Sequence, residues 1–483
     1  MDWQDFLSVL PFVIVAGWAT LLLLVDLWIP ADRKGITAGL AALGLVAAIA
    51  AVISRFGIER EAFKGMIIVD GYSSFFQLIF LGVGLIAVSQ AYDYLRRRDI
   101  ERGEYYTLLL FSLSGMLLMA SAGDLIVVFL AVELLSIPLY VLAAFALPQV
   151  ESEESALKYF LLGAFASGFL VYGIALVFGS TGTTALSGVV AAIASAESTP
   201  ILLIVGSGMI LIGLGFKVAA VPFHMWTPDV YQGAPTSVTS FMAVGAKAGG
   251  FAALLRIFVA ALPGAAPTWM PVTMWIAALT MAWGNIAAIS QTNIKRMLAY
   301  SSIAHAGYIF MALPAAAAPE IAPEAVRAAL FYLLTYTITN LGAWGIVIAM
   351  EKAEGSGLEI DDYSGLAKKR PALALAMALF MLSLTGIPPT VGFMGKFYLF
   401  RAVIDANLIW LALVGVVTSL ISAYYYLRVI VVMYMRDGEP EARSEALLNS
   451  TIFITAMGTL IFGILPGLLL KMVNKVGLLE LFR

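Results

Sequence analysis

Apolar residues in this chain gather into long, nearly unbroken runs. Residues 124–147 read "DLIVVFLAVELLSIPLYVLAAFAL", with no polar face recurring at two or at three to four residues. Fourteen such segments can be counted: 8–29, 36–56, 70–92, 105–122, 124–147, 155–180, 200–222 continuing to about 232, 236–262, 269–290, 296–314, 325–350, 371–400, 405–434 and 446–472. A helix needs about 20 apolar residues to cross the hydrocarbon core. Backbone groups cannot go unpaired in lipid, so such segments are helices. A membrane barrel would instead show alternating stretches of about 10 residues. The pattern predicts an all-α polytopic membrane protein with about 14 transmembrane helices. Several runs exceed the ~20-residue ruler and must tilt, kink or break.

Two runs carry prolines well inside: Pro222 in the seventh, and Pro388-Pro389 ("LTGIPPTVGFMGKF") in the twelfth. Proline removes a backbone donor and pushes the preceding residue out of the helical region. Helices 7 and 12 are therefore expected to be discontinuous. A pair of interrupted helices at corresponding places suggests two repeats, each housing part of a transport path. Because each repeat would hold an odd number of helices, five, the two would be inverted. The expected division is an N-terminal three-helix segment at 1–103, a first repeat at 104–262 (helices 4–8), a second at 263–435 (helices 9–13) and a last helix within 436–483.

Composition sharpens this. The chain of 483 residues is 61% hydrophobic and 12% charged, where a soluble domain is about half apolar and a quarter charged. The net charge of −3 gives no reason to expect nucleic acid. With no cysteine, structural disulfides, thiolate zinc and thiolate iron–sulfur ligation are excluded. The start, "MDWQDFLSVLPF", has neither a basic region nor a small-residue cleavage site and is expected to be a retained first span. Placing the N-terminus outside puts 14 Lys and Arg residues on inner loops and 9 on outer ones, a moderate positive-inside bias with both termini outward.

The other five basic residues, Lys158, Lys217, Lys247, Lys396 and Arg428, lie inside apolar runs, as does Glu133. Each charge at a helix centre costs ~2.5–3.5 kcal/mol on the insertion scale. Four of them (Glu133, Lys217, Lys247 and Lys396) cost about as much as a domain's whole stability of ~5–15 kcal/mol. They must be paired, hydrated or used. Lys158 lies four residues into its run, where snorkelling to the surface is an equal reading. Arg428 lies near a run's end and reads as structural. Lys247 is different: small residues surround it (Gly245, Ala246, Ala248, Gly249, Gly250), leaving room for water or a close helix. A buried lysine whose carboxylate partner moves near and far switches between holding and releasing a proton. His305, inside the tenth run, is a functional candidate by default. His224 follows the first proline break, and Asp229 and Tyr231 follow it toward the inner side, either lining an intake or, for Asp229, capping a helix.

No nucleotide, flavin or metal motif is present, and the glycines of "GSGMILIG" read as helix packing. Driving energy must come from an ion gradient or a partner. The stretch "FKVAAVPFHMWTPDVYQGAPTSVTSFMAVGAKAGGF", with "NIKRMLAYSSIAHAGYI", resembles the antiporter-like membrane subunits of respiratory NADH–quinone oxidoreductase, and the resemblance covers essentially the whole chain. "HMWTPDVYQGAPT" and Lys396 set it apart from two sister branches, and no long lateral helix is expected after the last span. The resemblance implies a proton-translocating subunit in a bacterial inner membrane. Glu133 would partner Lys217, Lys247 would be the central relay, and Lys396 would pass the proton outward. Lys158, His224, Asp229 and His305 would line or support the path. It also implies that this chain binds no cofactor: NADH, FMN, iron–sulfur clusters and quinone would be used by partner subunits. The implied partners are other membrane-arm subunits, the lipid bilayer and protons. A subunit of a multi-subunit sodium/proton antiporter and a structural spacer in the membrane arm are the alternatives.

Overall fold

The computed structural model describes residues 3–478. Its helices are α1 (Leu10–Val25), α2 (Gly35–Ile53), α3 (Gly71–Arg97), α4 (Glu104–Ala120), α5 (Leu125–Ala143), α6 (Val150–Thr181), the short α7 (Leu186–Ser195), α8 (Ile201–Val218) and α9 (Trp226–Gly233). There follow α10 (Thr236–Ala261), α11 (Ala266–Ile289), α12 (Ile294–Phe310), α13 (Ala322–Met350), α14 (Pro371–Thr385), α15 (Val391–Asp405), α16 (Ile409–Met435) and α17 (Ala446–Ile464). Among the described residues, eleven helices are long and apolar enough to cross a membrane. The other three apolar segments are carried by the shorter α4 and α12 and by the broken pair α14 and α15.

Polar residues between the runs start the helices. Asp70 accepts from the Ser73 amide at 2.6 Å and completes a reciprocal capping box at α3. Asp124 accepts from the Ile126 amide at 2.7 Å at α5, and Asn293 accepts from the Lys295 amide at 3.0 Å at α12. With no hydrophobic drive between helices in lipid, close approach depends on small residues. A Cβ added to Gly206 would stand 2.9 Å from the Gly173 carbonyl, so α6 and α8 touch through these glycines. This is the packing role expected of "GSGMILIG".

Both expected breaks are present. After α8, Ala219 turns left-handed (φ 61°), the Val221–Pro222 peptide is cis, and α9 follows. After α14, Gly386 does the same (φ 90°), Pro388–Pro389 is cis, and α15 follows. One irregularity has no proline. α10 contains two π-helical stretches, Met242–Ala246 and Leu255–Ala261, with Lys247–Leu254 α-helical between them. Such insertions are frequent at functional sites.

Among the described residues, a hairpin and a ten-residue helix stand out between the spans. A hairpin pairs Arg60–Ala62 with Ile67–Val69 between α2 and α3. Its turn is made possible by positive φ at Phe63, Lys64 and Gly65, and β-branched residues fill its second strand. The other is α7, between α6 and α8.

Candidate functional site: a buried line of lysines

Lys217 is the penultimate residue of α8, directly before the break. It is 3% exposed, and its Nζ makes no hydrogen bond. Three ring faces surround it instead: Tyr159 at 5.2 Å, Tyr140 at 5.4 Å and Phe216 at 5.8 Å. Cation–π attraction accounts for part of its stabilisation. The hydroxyls of Tyr140 and Tyr159 are also buried without partners. Buried polar groups of this kind are satisfied by bound water. Glu133, two turns before Tyr140 on α5, accepts from the Ser167 hydroxyl of α6. It acts on Lys217 through space but is not hydrogen-bonded to it.

Lys247 sits where the first π-helical stretch of α10 ends. Its Nζ donates to the Ser302 carbonyl (2.5 Å) and to the Ser302 hydroxyl, which also accepts from Tyr336 (2.9 Å). Asn340, one turn along α13, donates to the Tyr336 hydroxyl (2.5 Å). Ser302 thus gathers polar groups from α10, α12 and α13 around one ammonium.

His305, one turn beyond Ser302 on α12, lies between the hydroxyls of Tyr332 (Nδ1, 2.8 Å) and Tyr426 (Nε2, 3.1 Å). It is close enough to both Lys247 and Lys396 to sense their charge. Lys396, on α15, donates to the Thr385 carbonyl (2.7 Å) and the Ser419 hydroxyl (2.6 Å), with Nζ 4.8 Å from the Tyr308 ring centre. Thr385 ends α14, so its carbonyl is one that the break sets free, and the negative helix end favours an ammonium there. A mainly apolar groove of about 670 Å³, lined by the exposed Phe397, Ile404 and Leu420 among others, touches Lys396 and Ser419 and reaches Arg401 and Asp405 at the end of α15.

A separate, polar cavity of about 820 Å³ is lined by Lys158, Asp229, Lys295, Arg296 and Glu351, among others. Residues 219–235 lie between the spanning helices. Here Asp229 bridges Lys158 (2.8 Å) and Arg296 (2.7 Å), and Lys158 also pairs with Glu154 (2.7 Å). Burial would raise the Asp229 carboxyl, but the hydrogen bonds from Lys158 and Arg296 outweigh it and hold it below the usual range. His224 stands apart, in the half-exposed break, edge-on to Trp283 with ring centres 6.1 Å apart. Arg428 caps the end of α11 through the carbonyls of Ile289 and Gln291, a structural role.

A sequence model of one membrane family, described as "NADH:quinone oxidoreductase/Mrp antiporter, TM", matches residues 122–422. The chain belongs to this family. Within it, the branch expected from "HMWTPDVYQGAPT" is subunit N. NADH-quinone oxidoreductase subunit N of Chloroflexus aggregans is 47% identical over 98% of this chain and 97% of its own length. A chain of respiratory complex I from Thermus thermophilus superposes with a TM-score of 0.83 at 36% identity, over 97% of this chain and 100% of that one. A chain of the Mrp complex from Dietzia shares the fold, with a TM-score of 0.87 at 21% identity over 98% and 97% of the two chains. This is a multi-pass antiporter-like membrane subunit of the NADH–quinone oxidoreductase kind.

In this family member the structure brings Lys217, Lys247, His305 and Lys396 into one buried band, and Lys158 and Asp229 into one surface cavity. The tyrosines, Ser302 and Asn340 were missed from sequence. Hydroxyls and amides are common inside helical bundles, and only the packing aims these at the lysines. Among the described residues no group of three or more His, Cys, Asp or Glu side chains could hold a metal ion.

Proposed function

We propose that this chain moves protons across the membrane, as a non-redox subunit of a respiratory NADH–quinone oxidoreductase. Glu133, Lys217, Lys247 and Lys396 would carry them, with His305 linking the last two. NADH, FMN, iron–sulfur clusters and quinone act in partner subunits, and quinone reduction there drives the relay. The five-helix units 104–262 and 263–435 hold one broken helix each. The basic face lies inward in a bacterial inner membrane, and both termini lie outward.

One observation carries this reading: three fully buried ammonium groups, Lys217, Lys247 and Lys396, each beside hydroxyls or freed carbonyls, in a chain that also holds a polar cavity at Lys158 and Asp229. Such groups are costly in lipid and mark ion pathways. A carboxylate that approaches an ammonium holds its proton in place, and one that withdraws releases it. Glu133, anchored to Ser167 rather than to Lys217, is free to play both parts.

Lys217→Ala and Glu133→Ala in the reconstituted complex are the test. Both are expected to lower protons pumped per NADH oxidised; normal pumping in both ends the proposal. The chains that co-purify separate this reading from a sodium/proton antiporter, since flavin and iron–sulfur subunits accompany only the redox pump.

A further inference from the structure

Glu351 follows α13 directly and is 4% exposed, yet it lines the polar cavity on the basic face. Its Oε1 accepts from the Tyr94 hydroxyl (3.1 Å), its Oε2 accepts from the Thr236 hydroxyl, and Arg98 lies 3.8 Å away. Thr236 is the first residue of α10, the helix that carries Lys247 eleven residues on, about 17 Å along the axis.

Polar groups continue inward from there. Ser240, one turn past Thr236, donates to Gln90 Oε1 (2.7 Å), and Gln90 Nε2 donates to the Leu341 carbonyl (2.8 Å). Gln90 and Ser240 are both fully buried. Next to Leu341 stands Asn340, which begins the chain through Tyr336 to Ser302 and Lys247. One turn along α13 from Asn340, the indole N–H of Trp344 is buried without a partner. Fully buried polar side chains on three facing helices, α3, α10 and α13, thus descend from the cavity to the central lysine. Such side chains also glue helices together in lipid; this set differs in starting at a polar cavity and ending at a buried ammonium.

We propose that Glu351 is the mouth of a direct proton intake to Lys247, running past Ser240 and Gln90 to Asn340, Tyr336 and Ser302. It rests on the proton-transport reading above. It adds that Lys247 is supplied from the basic face without passing through Lys217. Glu351 takes a proton from cavity water and passes it along bridging waters and the side chains to the Lys247 amine, with no redox partner needed.

The test uses the assembled oxidoreductase in vesicles, measuring protons pumped per NADH oxidised. Glu351→Gln should lower that ratio to within a factor of two of the Lys247→Ala value, and Glu351→Asp should retain at least half the unmodified ratio. Independently of pumping, Ser240→Cys introduces the single thiol of a chain without cysteine. Aminoethyl methanethiosulfonate should modify it at least tenfold faster with the basic face outward than with the opposite face outward. If Lys247→Ala stops pumping while Glu351→Gln pumps normally, or if the Ser240→Cys thiol is not reached from the basic face, the intake is wrong and proton transport stands. Normal pumping by Lys247→Ala overturns both.

Discussion

At the scale of single residues, Lys396 depends on a neighbour that keeps its ammonium at the end of α14. Gly386 has φ 90°, and a Cβ there would meet Lys396 Cδ at 2.8 Å. Gly386→Ala combines backbone strain of about 1 kcal/mol or more with displacement of the lysine from the Thr385 carbonyl. Pumping in vesicles should fall several-fold, and wild-type pumping would contradict that role. Asp229 gives a pH signature. Its folded value lies below the ordinary 3.8, so its ion pairs stabilise fully above that value and are lost as pH falls through the folded value. Asp229→Asn should melt at lower temperature than the parent at neutral pH, with the gap closing in acid. The charged residues themselves were legible because ionisable groups in apolar runs stand out. Tyr140, Tyr159 and Ser302 were not, because they announce themselves only by what they face.

Among the elements, the two broken helices were readable from proline, while the π-helical stretches flanking Lys247 were not. At the far end of α10 the guanidinium of Arg256 makes a bidentate pair with Asp70 (2.9 and 3.0 Å), and Arg256 and Asp70 are both at most 1% exposed. Arg256 pins the Lys247 helix to the start of α3, and it lies 4.6 Å from the Tyr72 ring centre. Arg256→Met leaves a buried unpaired carboxylate and should cost about 3–5 kcal/mol. Adding Asp70→Asn should recover much of that loss, as read by unfolding of the subunit in detergent. Gly206→Ile, at the α6–α8 contact, should cost about 1–3 kcal/mol by overpacking.

For the whole molecule, helical class and span order followed from the length of apolar runs, because a bilayer fixes how long a crossing helix must be. The hairpin after α2 and the surface helix α7 escaped notice, since neither is long enough to register against that ruler. What sequence could not supply is the depth relation between the lysines and the two cavities, which comes from folding distant helices together. The polar cavity is lined by Lys158 and Asp229 and the apolar groove by Lys396, while His305 lies near enough to both Lys247 and Lys396 to feel their charge. The most direct measurement is the number of protons pumped per NADH oxidised by the reconstituted complex carrying Lys247→Ala. A buried lysine line predicts at least a twofold fall while the assembled complex retains its other chains. An unchanged ratio in a fully assembled complex would contradict it.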